Sequence, residues 1–336
     1  MNTSDRGKAL VALAFVGLMT ATACSPTGQN STAPEGAAPA APTPTSTQLP
    51  VPDDVLPWLT PTHKYFGATF NGVPQSLAPV TNFAGEVGKH PNLLAFYLAW
   101  GSQLSISETM NIWHNGMVPY IAWEPFDRSL AQIASGIDDT YITEFATEVR
   151  RLQVPIAISF GHEMNGDWYP WGTKTTTPSQ FVRAWQLIHN IFQNQVGATN
   201  AIWVWDPNVI NPVPKVALAP YYPGDQYVDW VGVTGYYATY GPHTFDTLFG
   251  PTMDQIRTFT QKPFFISETA SEPGARRPED IADLFDGVAD HPDVLGFIWF
   301  DIPKDANWQI DGNPAALAAF RTAVSNPLFG FDVRQP

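Results

Sequence analysis

Cysteine is nearly missing from this 336-residue chain: Cys24 stands alone. No internal disulfide is possible, and thiolate zinc sites are excluded. Basic residues are scarce as well, 17 Lys and Arg against 31 Asp and Glu, giving a net charge of −14. That balance excludes nucleic acid as a partner, because phosphates demand a basic surface. It also argues against docking on an anionic membrane through protein charge. His162-Glu163 is followed by Met-Asn-Gly, so the second histidine of the zinc-protease spacing is missing. The other histidines are scattered and expected on loops or the surface. There is no G-x-S-x-G nucleophile elbow and no glycine-rich phosphate loop after the first apolar run. No catalytic metal and no cofactor are expected.

What is present falls into three blocks. Residues 1–23 have Arg6 and Lys8, an apolar run over 9–19 and then small residues up to Cys24. The run is too short to span a bilayer, and the order is that of a secretory signal. Cys24 is expected to carry a lipid after cleavage; ordinary secretion with a chance cysteine is the alternative. Residues 24–52 are almost wholly Pro, Ala, Ser, Thr, Gly and Gln, with no aromatic side chain. Such a stretch cannot bury enough apolar surface to offset its ordering entropy, and it reads as a disordered tether. Residues 53–336 form one block rich in Trp, Tyr and Phe, sized for one large domain. A neutral partner with faces that stack on rings suits it best. Membrane contact is expected only through a lipid at Cys24, and the chain is expected to be a monomer.

Within the third block, eight short apolar, β-branched or aromatic runs lie at 64–70, 93–100, 117–125, 154–160, 200–207, 228–236, 263–270 and 294–301. They are continuous rather than alternating, as in strands buried on both faces. Amphipathic stretches at 137–153, 177–197, 277–292 and 313–327 lie between or after them. Thr177 before Pro178 is a helix start. Eight strands, each followed by a helix, predict an α/β fold: a single (β/α)₈ TIM barrel. A doubly wound open sheet is the rival. In a barrel, the carboxyl ends of the strands form the functional face.

Those ends are rich in chemistry. Glu163 follows the fourth run and Glu268 ends the seventh. Two carboxyl groups facing across a pocket serve glycosidic cleavage: one protonates the leaving oxygen, the other attacks or activates water. At about 5 Å apart such a pair favours the configuration-retaining route. Repulsion and burial can raise one pKa and leave the other low, which assigns the roles. A lone Glu at a strand end more often caps or pairs; two together, flanked by Trp and Tyr, favour the chemical reading. Aromatic faces stack on the apolar faces of sugar rings, although many of the 12 tryptophans must be ordinary packing. Trp123 and Trp205, near the ends of the third and fifth runs, and Asn165, beside the first carboxylate, are further candidates for sugar contact.

The stretch GHEMNGDWYPWG (161–172) resembles the hallmark of glycoside hydrolase family 26, which contains many β-mannanases. IWVWDPN (202–208), YYPGDQYVDWVGVTGYY (221–237) and FISETAS (265–271) agree in order and spacing, so the resemblance runs over about 64–310. It implies Glu163 as general acid/base and Glu268 as nucleophile of a retaining endo-β-glycosidase, most readily on β-1,4-mannan. It also implies His162 hydrogen-bonding beside the pair, Trp168 lining the sugar subsites and Tyr236 positioning the nucleophile. Trp299 or Trp308 would supply the central stacking platform. The chain departs from the family's usual G-x-D-G-Y: Thr234 stands where a carboxylate is common, and the substrate is left open. Mixed-linkage β-glucan and β-1,3-xylan are alternatives. So is a surface lipoprotein that binds polysaccharide without cutting it; a transporter's solute-binding protein fits the anchor but not eight strands.

Overall fold

The computed structural model describes residues 55–304 and 306–336. The expected leader (1–23), tether (24–52), Cys24 and the domain start at residue 53 lie outside the described residues.

Eight parallel strands close into a barrel in sequence order. They are β1 (Tyr65–Thr69), β2 (Leu93–Ala99), β3 (Val118–Glu124), β4 (Ile156–Phe160), β5 (Ala201–Trp205), β6 (Trp230–Thr234), β7 (Phe264–Thr269) and β8 (Val294–Phe300). Every one falls inside a run read from the sequence. The closing seam pairs β1 with β8, from Tyr65 opposite Gly296 to Thr69 opposite Phe300. At Gly296 φ is +153°, and a Cβ would sit 2.3 Å from the Tyr65 carbonyl oxygen, so only glycine lets the seam close.

Helix α1 (Leu56–Leu59) precedes the first strand, and the other helices pack outside the barrel: α2 (Ala78–Val87), α3 (Ile106–His114), α4 (Leu130–Ile133), α5 (Asp139–Leu152), α6 (Pro178–Asn190), α7 (Phe245–Leu248), α8 (Gly250–Arg257), α9 (Arg277–Asp290) and α10 (Pro314–Val324). Thr177 caps α6 reciprocally with Gln180, as the Thr-Pro start predicts. One expectation fails. Between β5 and β6, residues 206–229 form only two 3₁₀ turns, Ala219–Tyr221 and Asp225–Tyr227, rather than a helix. Pro207, Pro212, Pro214, Pro220 and Pro223 interrupt any helical ladder there.

Alternation along each strand makes two cores. Tyr65, Leu93, Ala95, Tyr120, Ile202, Val204, Trp230, Phe265 and Ile298 fill the barrel, with Trp230 stacked on Phe265 at 5.3 Å. Phe66, Leu94, Ile121, Trp123, Trp203, Trp205, Phe297 and Trp299 point outward under the helices. At the amino-terminal end α1 plugs the barrel. Trp58 Nε1–H donates to the Val333 carbonyl at 2.7 Å, and Tyr65 and Trp230 donate to the carbonyls of Trp58 and Leu59. The opposite end is left for the polar strand termini.

Candidate active site

After β4 the chain turns at Gly161, and Glu163 takes a left-handed backbone conformation, φ +54°. A side-chain-bearing residue held there costs about 1–3 kcal/mol and persists only where its surroundings fix it. They do: Glu163 N–H donates to the Asp206 carbonyl at 2.6 Å, and Gly166 N–H donates to the Glu163 carbonyl at 2.9 Å. The carboxyl is buried, 8% exposed. Trp168 Nε1–H donates to Oε2 at 3.0 Å, and the Asn208 side-chain amide donates to Oε1. The Trp168 ring lies so close over Gly166 that a Cβ there would be 2.5 Å from Cε2. Trp171 Nε1–H donates to the His162 carbonyl at 2.6 Å, and the Tyr169 ring stacks on Trp171 at 4.3 Å. The stretch GHEMNGDWYPWG (161–172) therefore supplies much of the cradle that holds one carboxylate.

Glu268 approaches from β7. Tyr236, just beyond β6, donates to its Oε1, and Tyr97, from β2 across the barrel mouth, donates to its Oε2. Both oxygens of Glu268 thus have phenolic donors, whereas Glu163 has an indole and an amide.

Electrostatics separate the two groups. Burial first, and then the charge of Glu268, push Glu163 up to about 7, against the hydrogen bonds from Trp168 and Asn208. Burial raises Glu268 as well, but the two tyrosine hydroxyls and the Lys304 ammonium pull it back toward the ionised form. A third carboxyl, Glu124 at the end of β3, is pushed up to about 8; burial leads, with Glu268 and Glu163 adding and Lys304 opposing. Asp206 lies below, held well above the usual carboxylate range by burial, and accepts from Thr234 Oγ1 at 3.2 Å and Ser159 Oγ at 3.4 Å. Thr234, the departure from the family pattern, is thus a buried donor to Asp206.

The remaining sequence candidates divide sharply. His162 is buried, and burial followed by the Lys304 charge lowers it to about 3, so the ring is neutral. Its Nε2 meets the Tyr169 hydroxyl at 3.2 Å, and Nδ1 has no hydrogen-bond partner among the described residues. It lies beside the pair but bonds neither carboxylate. Asn165 is fully buried, and its amide clamps the Asn208 backbone, donating to the carbonyl at 2.8 Å and accepting from N–H at 2.9 Å.

Trp123, Trp205 and Trp299 do not line the cleft. They are 0–1% exposed and face outward: Trp123 stacks on Phe145 of α5 at 4.3 Å, Trp205 donates to the Tyr221 carbonyl, and Trp299 packs edge-on to Phe320 of α10. Strand alternation gives the inward position to their neighbours Glu124, Asp206 and Phe300. Trp308 is enclosed too, with its ring 4.8 Å from that of Tyr236. Of the two candidate platforms it is the one beside the pair. Tyr97, Asn208 and Lys304 were not read as site residues from the sequence. Among the described residues no group of His, Cys, Asp and Glu has metal-binding geometry.

A closed (β/α)₈ barrel with two differently held carboxyl groups at the carboxyl ends of β4 and β7 is an arrangement suited to glycosidic cleavage. The profile of glycosyl hydrolase family 26 matches residues 127–255, which include Glu163, Trp168 and Tyr236 and stop short of Glu268. Endoglucanase H of Acetivibrio thermocellus is 29% identical over 76% of this chain and 30% of its own length. Mannan endo-1,4-beta-mannosidase A and B of Caldalkalibacillus mannanilyticus is 27% identical over 47% of this chain and 27% of its own length. The chain spans about a third or less of these curated relatives. Among solved structures, the catalytic domain of a Bacillus sp. JAMB-750 family 26 endo-β-1,4-mannanase superposes with a TM-score of 0.65 at 16% identity, over 82% of this chain and 89% of that one. A β-mannanase from a symbiotic protist of the termite Reticulitermes speratus gives 0.61 at 19% identity, over 84% of this chain and 92% of that one. The chain is thus similar, in part of its sequence and in its fold, to β-mannanases of glycosyl hydrolase family 26.

Proposed function

We propose that the protein is a retaining endo-β-glycosidase that cuts a β-linked polysaccharide, β-1,4-mannan first among the candidates. One observation carries the reading: two carboxyls share one barrel mouth, Glu163 raised to about 7 and Glu268 gripped by two tyrosine hydroxyls. Glu163 is protonated at the start and gives its proton to the leaving glycosidic oxygen while Glu268 attacks the anomeric carbon. As Glu268 loses its charge to the new bond, the repulsion that raised Glu163 disappears. Glu163 then becomes a better-matched base, takes a proton from water and lets the water release the glycosyl group. Tyr97 and Tyr236 aim the attacking carboxylate; Trp168 and Asn208 aim the acid.

A second substrate reading has its own support. The relative aligned over most of this chain carries the name endoglucanase, whereas the mannosidase aligns over less than half. Mixed-linkage β-glucan therefore stands beside mannan. The test is the domain from about residue 53 incubated with linear β-mannan, galactomannan, mixed-linkage β-glucan and β-1,3-xylan, with Glu268→Ala as the blank. A ladder of oligomers from one polymer, absent with the blank, identifies the substrate. Binding without any product would leave a polysaccharide-binding protein instead.

Location is proposed on the sequence alone: export, with a lipid at Cys24 holding the barrel off the membrane on the 24–52 tether. Mass spectrometry of the mature amino terminus, with Cys24→Ser as control, tests this.

A further inference from the structure

Glu124 has no role in the steps above, yet it stands in the same cleft. Side chains alternate along β3: Tyr120 belongs to the barrel interior and Trp123 to the layer under the helices. Glu124, four residues on from Tyr120, therefore points inward at the rim. It is half-buried, and among the described residues its carboxyl has no hydrogen-bond partner. It senses the charges of Glu163, Glu268 and Lys304.

Tyr97 is on the adjacent strand, with Tyr97 opposite Ala122 and Ala99 opposite Glu124. It bonds Glu268 through its hydroxyl, while 36% of the residue remains exposed. Lys304, exposed on the turn that Pro303 and Asn307 close, is a cation whose charge reaches Glu124, Glu163 and Glu268 alike. A carboxyl kept half out of water beside two others, with no donor of its own, costs folding stability. Hydroxyl groups arriving with a ligand would satisfy it.

The arc of the rim indicates which part of the ligand arrives. Trp168 and Asn208 hold Glu163 from the side of the loops after β4 and β5. Tyr97, Glu124 and Lys304 come from β2, β3 and the loop after β8, the other side of the pair. Glu163 hands its proton to the departing sugar, so the Trp168 side takes the leaving part. The opposite arc takes the sugar that becomes bonded to Glu268.

We propose that Glu124 is a specificity-determining contact for that glycone sugar: its carboxyl binds neighbouring free hydroxyls while the open Tyr97 ring lies against the sugar and Lys304 donates to a further oxygen. The sugar taken is neutral and unsubstituted at those hydroxyls. The inference rests on the reading of Glu163 and Glu268 as acid/base and nucleophile.

The experiment uses Glu268→Ala, which holds oligosaccharides without turnover. Calorimetry measures its affinity for manno- and mixed-linkage gluco-oligosaccharides of three to six sugars, alone and combined with Glu124→Ala or Glu124→Gln. Affinity is expected to fall at least tenfold with Glu124→Ala and to stay within threefold with Glu124→Gln, which keeps the shape and hydrogen-bonding capacity. Thermal unfolding of each variant separates lost contact from lost fold, and Glu124→Gln remains informative if Glu124→Ala unfolds. Affinity within twofold of the parent for Glu124→Ala, in a protein whose polymer cleavage needs Glu163 and Glu268, overturns this inference alone. If no oligosaccharide binds the Glu268→Ala parent, or Glu268→Ala cuts like wild type, the catalytic reading falls and takes this one with it.

Discussion

The indole N–H of Trp168, five residues beyond the carboxylate it serves, lies 3.0 Å from Oε2 of Glu163. A hydrogen bond to an ionised carboxylate favours the charged form, so Trp168 opposes the burial and the Glu268 charge, with Glu163 left at about 7. Trp168→Phe keeps a ring over Gly166 and removes the donor. Glu163 acts first as the acid, so its pKa sets the alkaline limb of the activity profile. That limb is expected to move upward by roughly half to one unit, given about 1.4 kcal/mol per unit. A kcat/KM profile over pH 4–10 checks it, and an unmoved limb would mean that the contact is not felt by the acid.

Glu124 offers a second, thermodynamic test. Burial, with Glu268 and Glu163 adding and Lys304 opposing, raises its folded pKa from 4.5 to about 8. Between these values the folded state binds a proton that the unfolded chain has lost. Stability therefore falls as pH rises from 4.5 toward 8, and it is unaffected below 4.5. Glu124→Gln removes the titration. Its stability relative to wild type is expected to be about equal at pH 4 and greater by on the order of 2 kcal/mol at pH 8.5, after allowing for solvent screening of a half-buried group. Denaturant unfolding at both pH values decides the matter. A gain equal at the two would show that packing, not charge, is responsible.

Trp299 makes the contrasting case. It is 1% exposed, edge-on to Phe320 at 5.2 Å, and donates to Asp301 at 3.2 Å. Trp299→Ala is expected to cost about 3–5 kcal/mol of stability through the cavity it leaves. Trp299→Phe, a smaller loss, should lower the unfolding midpoint and leave KM within about twofold. A large rise in KM with unchanged stability would place this ring in the cleft after all.

The same residues show what the sequence made legible. Runs such as VPIAISF are apolar on both faces because barrel strands are packed on both, so all eight were found with little boundary error. The carboxylates were legible only as a pair: one charge at a strand end can cap or pair, but two, flanked by Trp and Tyr, point to chemistry. The error lay one residue away. Trp123 and Glu124 end one strand, and alternation sends them to opposite sides, yet both look like candidates in a linear reading. Tyr97 was hidden inside LLAFYLAW, where an aromatic residue passes as core; only the register of β2 against β3 shows that it rises at the rim. Lys304 belongs to a loop whose path is set by tertiary packing, which no local pattern encodes.

Asn165 closes the case for support at a distance. Its amide donates to the Asn208 carbonyl at 2.8 Å and accepts from the Asn208 N–H at 2.9 Å, and Asn208 in turn donates to Oε1 of Glu163. Asn165→Ala leaves a buried N–H and a buried carbonyl without partners, at about 1–3 kcal/mol for each group. It also frees Asn208 to leave the carboxylate. The variant is expected to unfold several degrees earlier and to lose at least tenfold in kcat, with KM changed little, because Asn165 is fully buried and its amide is spent on the Asn208 backbone. Asn208→Ala removes the donor directly; its kcat should fall comparably with a smaller loss of stability. If Asn165→Ala lost stability alone, while kcat held, the Asn208 amide would be staying on Glu163 without its clamp. The acid's position would then rest on Trp168 and on the backbone bond to Asp206.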